Sequence, residues 1–205
     1  LLLQERMPLD VAIFRPRIER ADARTGAGEP LSSPQRRFIS PHDRTPRTHL
    51  LSNGRYAVML TAAGSGYSRW RDIAVTRWRE DATRDCWGTH IYLRDVHSKE
   101  VWSAGYQPTG VAPDTYEACF FEDRAEIKRR DGSLHTTLDV VVSSDDDCET
   151  RRVSISNQGL RTREIQVTSY AEICLAPPGA DAAHPAFSNL FVETEFDSGI
   201  GALLA

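Results

Sequence analysis

The chain has 205 residues, 40% of them hydrophobic and 26% charged, a composition ordinary for a soluble globular protein and one that allows a substantial core. A formal net charge of −4 leaves no basic footprint for nucleic acid. No run of about eighteen apolar residues occurs, so no membrane-crossing helix is expected.

In chain order, residues 1–47 carry Pro8, Pro16, Pro30, Pro34, Pro41 and Pro46, with the run Thr25–Gly28 among them. Each proline fixes φ and removes a backbone donor, so an extended Pro-rich linker is predicted here rather than a helix or a central strand. Leu1–Leu3 is short for a secretion signal and is followed by Glu5, so no signal is expected. A start at Leu1 and a small apolar end, Gly201–Ala205, suggest a piece of a larger protein.

From Thr48 the pattern becomes that of strands, and residues 48–205 are assigned to one domain. Tyr56, Val58 and Leu60 alternate with Ala57, Met59 and Thr61 after the turn signal Asn53-Gly54, which predicts a hairpin. His90–Arg94 and Glu100–Ser103 flank the polar link His97–Lys99. Asp131-Gly132 joins Ala125–Arg130 to Ser133–Val142, and Ser144–Asp147 turns into Glu149–Ser156. After Asn157–Gly159 comes the longest alternation, with Ile165, Val167, Ser169, Ala171, Ile173 and Leu175 on one face. Strands joined by tight turns, with almost no helical period, predict an all-β fold: a large antiparallel β-sandwich preceded by the linker.

The cysteines, Cys86, Cys119, Cys148 and Cys174, show neither C-x-x-C nor zinc-ligand spacing, and are expected as thiols of a reducing compartment. Asp145–Asp147 lacks the alternating oxygen ligands of a calcium loop and reads as a solvated turn. The six histidines are scattered. No P-loop, dinucleotide fingerprint or nucleophile elbow occurs. No catalytic residue, metal site or cofactor is therefore assigned.

One stretch, Gly64–Asp81, concentrates tryptophan, arginine, aspartate and glycine, and all four tryptophans fall between Trp70 and Trp102. Aromatic faces suit the C–H surfaces of a sugar ring, and planar charged groups suit its hydroxyls. The same residues could instead fill a core and form ion pairs with Asp72, Glu80 and Asp81; both readings are open. The arginines from Arg55 to Arg79 could likewise meet anionic groups such as phosphate or form an ion-paired surface.

The runs Leu50–Tyr56, Gly66–Asp72, Thr76–Asp81, Arg84–Trp87, Tyr92–Asp95 and Val101–Ser103 resemble the cyclic β-1,2-glucan synthase family. They match the start of its phosphorylase-like region, which groups with the cellobiose and chitobiose phosphorylases, and Leu1–Pro8 resembles the segment joining that region to the part before it. The resemblance implies a supersandwich-like domain set before a barrel of paired α-helices that carries the catalytic acid and is not in this chain. It also implies that Gly64–Asp72 and Trp102–Pro108 lend contacts to substrate, making Tyr67, Arg69, Trp70, Arg71, Asp72, Trp102 and Gln107 the candidate substrate-binding residues. Where cellobiose phosphorylases carry an arginine after a Tyr-x-Cys run, Tyr116–Arg124 has none at that place, which favours a β-1,2-linked glucan over cellobiose.

The implied parent is a hexosyltransferase or glycoside phosphorylase of a bacterial inner membrane, with this region soluble, on the cytoplasmic side and without direct membrane contact. The implied partners are β-1,2-glucan or another oligosaccharide, the helical barrel, and a second copy of the chain in a homodimer. Three roles are open: a non-catalytic substrate-positioning domain, an autonomous glucan-binding module, and a purely structural interdomain or dimerisation domain.

Overall fold

In a computed structural model, residues 36–42, 46–81 and 83–205 are described. Among them, β2 (Thr48–Ser52) and β3 (Tyr56–Thr61) form the first expected hairpin, pairing Ser52 with Ala57. Its turn closes on Asn53, whose Oδ1 accepts the amides of Arg55 and Tyr56 at 3.0 and 2.8 Å. The other three hairpins form as expected. They are β6 (Thr89–Asp95) with β7 (Val101–Ser103), β9 (Ala125–Asp131) with β10 (Leu134–Val142), and β10 with β11 (Glu149–Asn157). At the β9–β10 turn Gly132 takes φ +59°, which glycine adopts without steric cost.

β4 (Gly66–Trp70), β5 (Ile73–Thr76), β8 (Thr115–Phe120), β12 (Ile165–Ala171) and β13 (Ile173–Ala176) complete the layers with β1 (Arg36–Phe38). One sheet runs β1-β8-β9-β10-β11, a second runs β13-β5-β4-β3-β2, and a third runs β12-β6-β7, all antiparallel. The period of two sorts the side chains. In β10, Leu134, Thr136, Leu138 and Val140 are buried while the residues between them are partly exposed. They share a core with Ala118, Phe120 and Ile127 of the same sheet, Val58 and Leu60 of the second, and Leu93 and Trp102 of the third. The architecture is the expected antiparallel sandwich.

Of the predicted linker, residues 1–35 and 43–45 lie outside the described residues, and Arg36–Phe38 pairs with β8 as β1. The long alternation of residues 165–175 is two strands. β12 pairs with β6 in the third sheet, the chain turns at Glu172, and β13 pairs with β5 in the second. Glu172 supplies the hinge, its carbonyl accepting the Arg77 amide at 2.8 Å, and Leu175 sits at φ +52°. On β12, Ile165 packs against the core, whereas Val167 is half-exposed because this strand ends its sheet. Two short helices, α1 (Pro178–Ala183) and α2 (Pro185–Asn189), and a hairpin of β14 (Glu195–Asp197) with β15 (Ala202–Leu204) follow. α1 begins at Pro178, a residue preset for a first helical turn, and is too short to show a sequence period. Among the described residues, no helix is long and apolar enough to cross a membrane. No disulfide links the four cysteines.

The alternation of β9 puts Arg129 on the core side beside Ile127, where its side chain is fully buried. Nε and Nη2 meet both oxygens of Asp131 at 2.8 and 2.6 Å. Nη1 donates to the carbonyls of Ser103 and Gly105, and Nη2 also donates to that of Val111. The guanidinium thus ties β9 to the segment between β7 and β8. At the same end, buried Asp95 accepts the amides of His97 and Ser98 at 2.8 Å and Nε of Arg163 at 2.5 Å. Those amides and the guanidinium hold its carboxyl down at about 2.

Removing the Arg129 guanidinium leaves Asp131 and three carbonyls without their donor. Arg129→Met is expected to lower unfolding stability by about 3–5 kcal/mol in urea titrations, and a loss below about 1 kcal/mol would contradict the keystone role. Asp95 stabilises the fold at pH above its ordinary value near 3.8 and loses that contribution as pH falls toward about 2. Asp95→Asn should therefore flatten the acid limb of a stability–pH profile, and an unchanged limb would show that the pair contributes nothing.

Candidate functional site

The seven candidate residues fall in four places. Along β4, Ser68 points into the sandwich and donates to Glu149 at 2.9 Å, while Tyr67 and Arg69 point to the outer face of the second sheet. Trp70 ends the strand. Its indole N–H donates to Oδ2 of Asp147 at 2.6 Å, and Oδ1 of the same carboxylate takes Nε of Arg55 at 2.7 Å. The Arg71 guanidinium lies 4.7 Å from the Trp70 ring centre, so both the edge and a face of the indole are engaged. The bonds from Arg55 and then Trp70 hold the Asp147 carboxyl below its ordinary value. Arg69 donates to the carbonyl of Arg71 and lies 3.8 Å from Asp72, whose side chain is fully exposed. Trp102 is 4% exposed and belongs to the core. Gln107 lies away from β4's outer face, in a cleft at the end of the sandwich.

On the outer face, Tyr67 meets Trp78 edge to face at 5.6 Å, and the two rings rim a groove of about 170 Å³ with Arg69 and Pro178. Trp78 is 39% exposed. It was not among the candidates, although it lies inside the aromatic stretch. The neighbouring arginines hold it there. Arg77 reaches Asp181 at 2.9–3.2 Å and also bonds Glu172 and Asn189, while Arg79 meets Asp181 at 2.9 Å. Two arginines flanking one tryptophan are thus anchored to α1, α2 and the β12–β13 hinge. Burial, with Asp181 beside it, pushes the Cys174 thiol up.

The cleft at the sandwich end is larger, about 460 Å³, and is built from four connections. The turn after β3 brings Thr61 and Ala63, the β5–β6 connection Asp85, the β7–β8 connection Tyr106 and Gln107, and the β1–β2 connection His42. Its floor is tied by backbone, the Ala63 carbonyl accepting the amides of Tyr106 and Gln107 at 3.0 and 2.9 Å. The Tyr116 hydroxyl donates to the Ala62 carbonyl at 2.6 Å, so the Tyr116 stretch acts here through packing. Gly64, at φ +92°, lets the two connections touch: a Cβ there would stand 3.1 Å from Cα of Gly105. His42 meets Tyr106 edge to face at 4.6 Å. Thr61 donates to Asp85 Oδ2 at 3.1 Å, and burial raises the Asp85 carboxyl. Sequence reasoning does not single out Asp85 or His42 and reaches Tyr106 only as part of Trp102–Pro108, because no local spacing connects residues 42, 61, 85 and 107.

A third crevice, about 730 Å³, lies between the β6–β7 and β11–β12 connections, but its Asp95 and Arg163 are bonded to one another. Among the described residues, no group of three or more His, Cys, Asp or Glu side chains is arranged to hold a metal ion.

The family model "Glycosyl hydrolase 94, supersandwich domain" matches residues 34–205. The chain is 40% identical over 195 residues to the cyclic beta-(1,2)-glucan synthase NdvB of Rhizobium meliloti (strain 1021), covering 95% of this chain and 7% of that protein. It is 24% identical over 165 residues to N,N'-diacetylchitobiose phosphorylase of Vibrio furnissii, covering 78% of this chain and 21% of that one. With solabiose phosphorylase of Paenibacillus borealis it shares 28% identity over 86 residues, 42% of this chain and 11% of that one. The chain therefore spans between 7% and 21% of the length of these relatives.

The Trp70 clamp can be read from fluorescence. Asp147→Ala should shift tryptophan emission to the red at neutral pH, as the indole loses its acceptor. The unaltered chain should make the same change only in acid, as pH falls through the depressed folded value, below the ordinary carboxylate range near about 3.9. Identical neutral-pH spectra for the two proteins would refute the clamp.

Proposed function

The chain belongs to the glycosyl hydrolase 94 supersandwich family, and on that footing we propose that it is the non-catalytic, substrate-positioning sandwich of a cyclic β-1,2-glucan synthase-like enzyme. One observation carries this reading: the outer-face groove where Tyr67 and Trp78 present ring edges and faces beside Arg69. Such a groove, smaller than the roughly 300–1,000 Å³ of ordinary small-molecule pockets, suits one pyranose ring of a longer glucan. Aromatic surface covers the C–H face, and the guanidinium meets hydroxyls.

The use made of the buried carboxylates supports a role without chemistry. Asp95, Asp131 and Asp181 are each committed to an arginine. In this reading, residues 1–33, ahead of the part matched by the family model, join the sandwich to the preceding part of the enzyme, and a helical barrel supplies the reaction. The parent transfers hexosyl groups or cleaves glucan with phosphate, on the cytoplasmic side of a bacterial inner membrane.

A second reading, an interdomain or dimer surface, is favoured at the other end of the chain. Phe187, Leu190, Phe191, Phe196 and Leu203 are all more than half-exposed there, an apolar content typical of contact surfaces.

Titration of the chain with linear β-1,2-linked glucooligosaccharides, followed by calorimetry and with cello-oligosaccharides as control, tests the proposal. Saturable binding selective for the β-1,2 linkage is expected, weakened roughly threefold to tenfold by Trp78→Ala. Equal binding in that variant would remove the groove from the glucan path. Phosphate-dependent release of sugar phosphate by the chain alone would overturn the non-catalytic role.

A further inference from the structure

The groove leaves unused a larger polar cleft, the one at the sandwich end. Its volume of about 460 Å³ falls within the roughly 300–1,000 Å³ of small-molecule pockets. Its walls alternate apolar and polar character. Pro41, Pro46, Ala63 and the Tyr106 ring give flat apolar surface, and Thr61, Asp85, Gln107, His42 and Arg47 bring donors and acceptors from four separate connections. Convergence of that kind is unnecessary for holding the sandwich together, since Arg129 and the Ala63 carbonyl already pin the connections from behind.

Asp85 is the telling group. Asp95, Asp131 and Asp181 each meet an arginine, whereas among the described residues no salt bridge joins the half-buried Asp85 to a cation. Its partners are neutral hydroxyls, those of Thr61 and Ser65. A carboxylate desolvated without a cation remains short of donors, and hydroxyl groups of a neutral ligand can supply them. An apolar ligand would strand Asp85 and Gln107 without partners.

We infer that the cleft formed by His42, Thr61, Asp85, Tyr106 and Gln107 is a second carbohydrate subsite, sized for a neutral disaccharide unit whose hydroxyls bond Asp85 and Gln107. The inference rests on the glucan-recognition reading above and adds to it a site separate from the Tyr67–Trp78 groove. The Tyr106 ring, held in place by the edge of His42, supplies the stacking face. Asp85 accepts from two ligand hydroxyls in the way carboxylates commonly do, and the Gln107 amide both donates and accepts.

The test is calorimetric titration of the chain with the β-1,2-linked disaccharide of glucose, comparing the unaltered protein with Asp85→Ala, Asp85→Asn, Gln107→Ala and Trp78→Ala. Thermal melts would establish that each variant is folded. Asp85→Ala and Gln107→Ala are expected to weaken binding by about tenfold or more, the loss of a hydrogen bond to a charged or amide group. Asp85→Asn, which keeps an acceptor of the same shape, should lose less, and adding Asp85→Ala to Trp78→Ala should weaken binding by about the same factor as it does in the unaltered chain. Undiminished binding in both Asp85→Ala and Gln107→Ala would overturn the cleft and leave glucan recognition standing elsewhere. No binding by the unaltered chain at millimolar disaccharide, when longer glucans do bind, would overturn the subsite alone. No binding of either ligand would overturn both readings.

Discussion

A guanidinium inside a β-sandwich constrains everything near it, and Arg129 is that group here. Burying a charge costs several kcal/mol unless every donor finds a partner. Arg129 meets this condition with one carboxylate and three backbone carbonyls. The carbonyls belong to Ser103, Gly105 and Val111, so the cost of the charge can be offset only when the whole β7–β8 connection is in position. Tyr106 and Gln107 lie inside that span. The polar cleft thus inherits its rigidity from a residue that does not line it. Asp131 serves twice, opening the tight β9–β10 turn and neutralising the buried arginine.

The same device recurs around the molecule. Arg163 meets Asp95, Arg55 meets Asp147, and Arg77 with Arg79 meets Asp181. Each pair joins segments far apart in sequence, and the first and last are largely shielded from water. Planar, bidentate pairing makes arginine better suited than lysine to such struts. The ion-paired reading of the arginine-rich stretch therefore describes most of it, with Arg69 and Arg71 remaining at the surface.

Tryptophan is divided in a similar way. Trp102 fills the core, Trp70 is a strut whose indole N–H bonds Asp147, and Trp78 alone rims a groove with a second aromatic ring. A cluster that looks like a single binding loop along the sequence is dispersed by strand alternation. Successive residues of β4 point to opposite faces, so Tyr67 and Arg69 part from Ser68 and Trp70 at once. The two glycines near its start serve backbone contact rather than ligand approach. Gly66 donates to the carbonyl of Trp87, and Gly64 abuts Gly105.

What the sequence determined by itself is local and periodic. The turns at Asn53-Gly54 and Asp131-Gly132, the alternation of β3 and β10, and hence the antiparallel sandwich follow from steric preferences within a few residues. The break of residues 165–175 at Glu172 was not legible, because the alternation continues through it while the partner strand changes from β6 to β5. The short helices and β1 were hidden for a related reason: elements of three to six residues contain less than two periods of any pattern. Only tertiary structure decided that Trp102 is core, that Trp78 rather than Trp70 faces outward beside Tyr67, and that His42, Thr61, Asp85 and Gln107 share one cleft. Those placements depend on sheet order and on buried arginines that bridge distant segments, and neither leaves a trace in the spacing of residues along the chain.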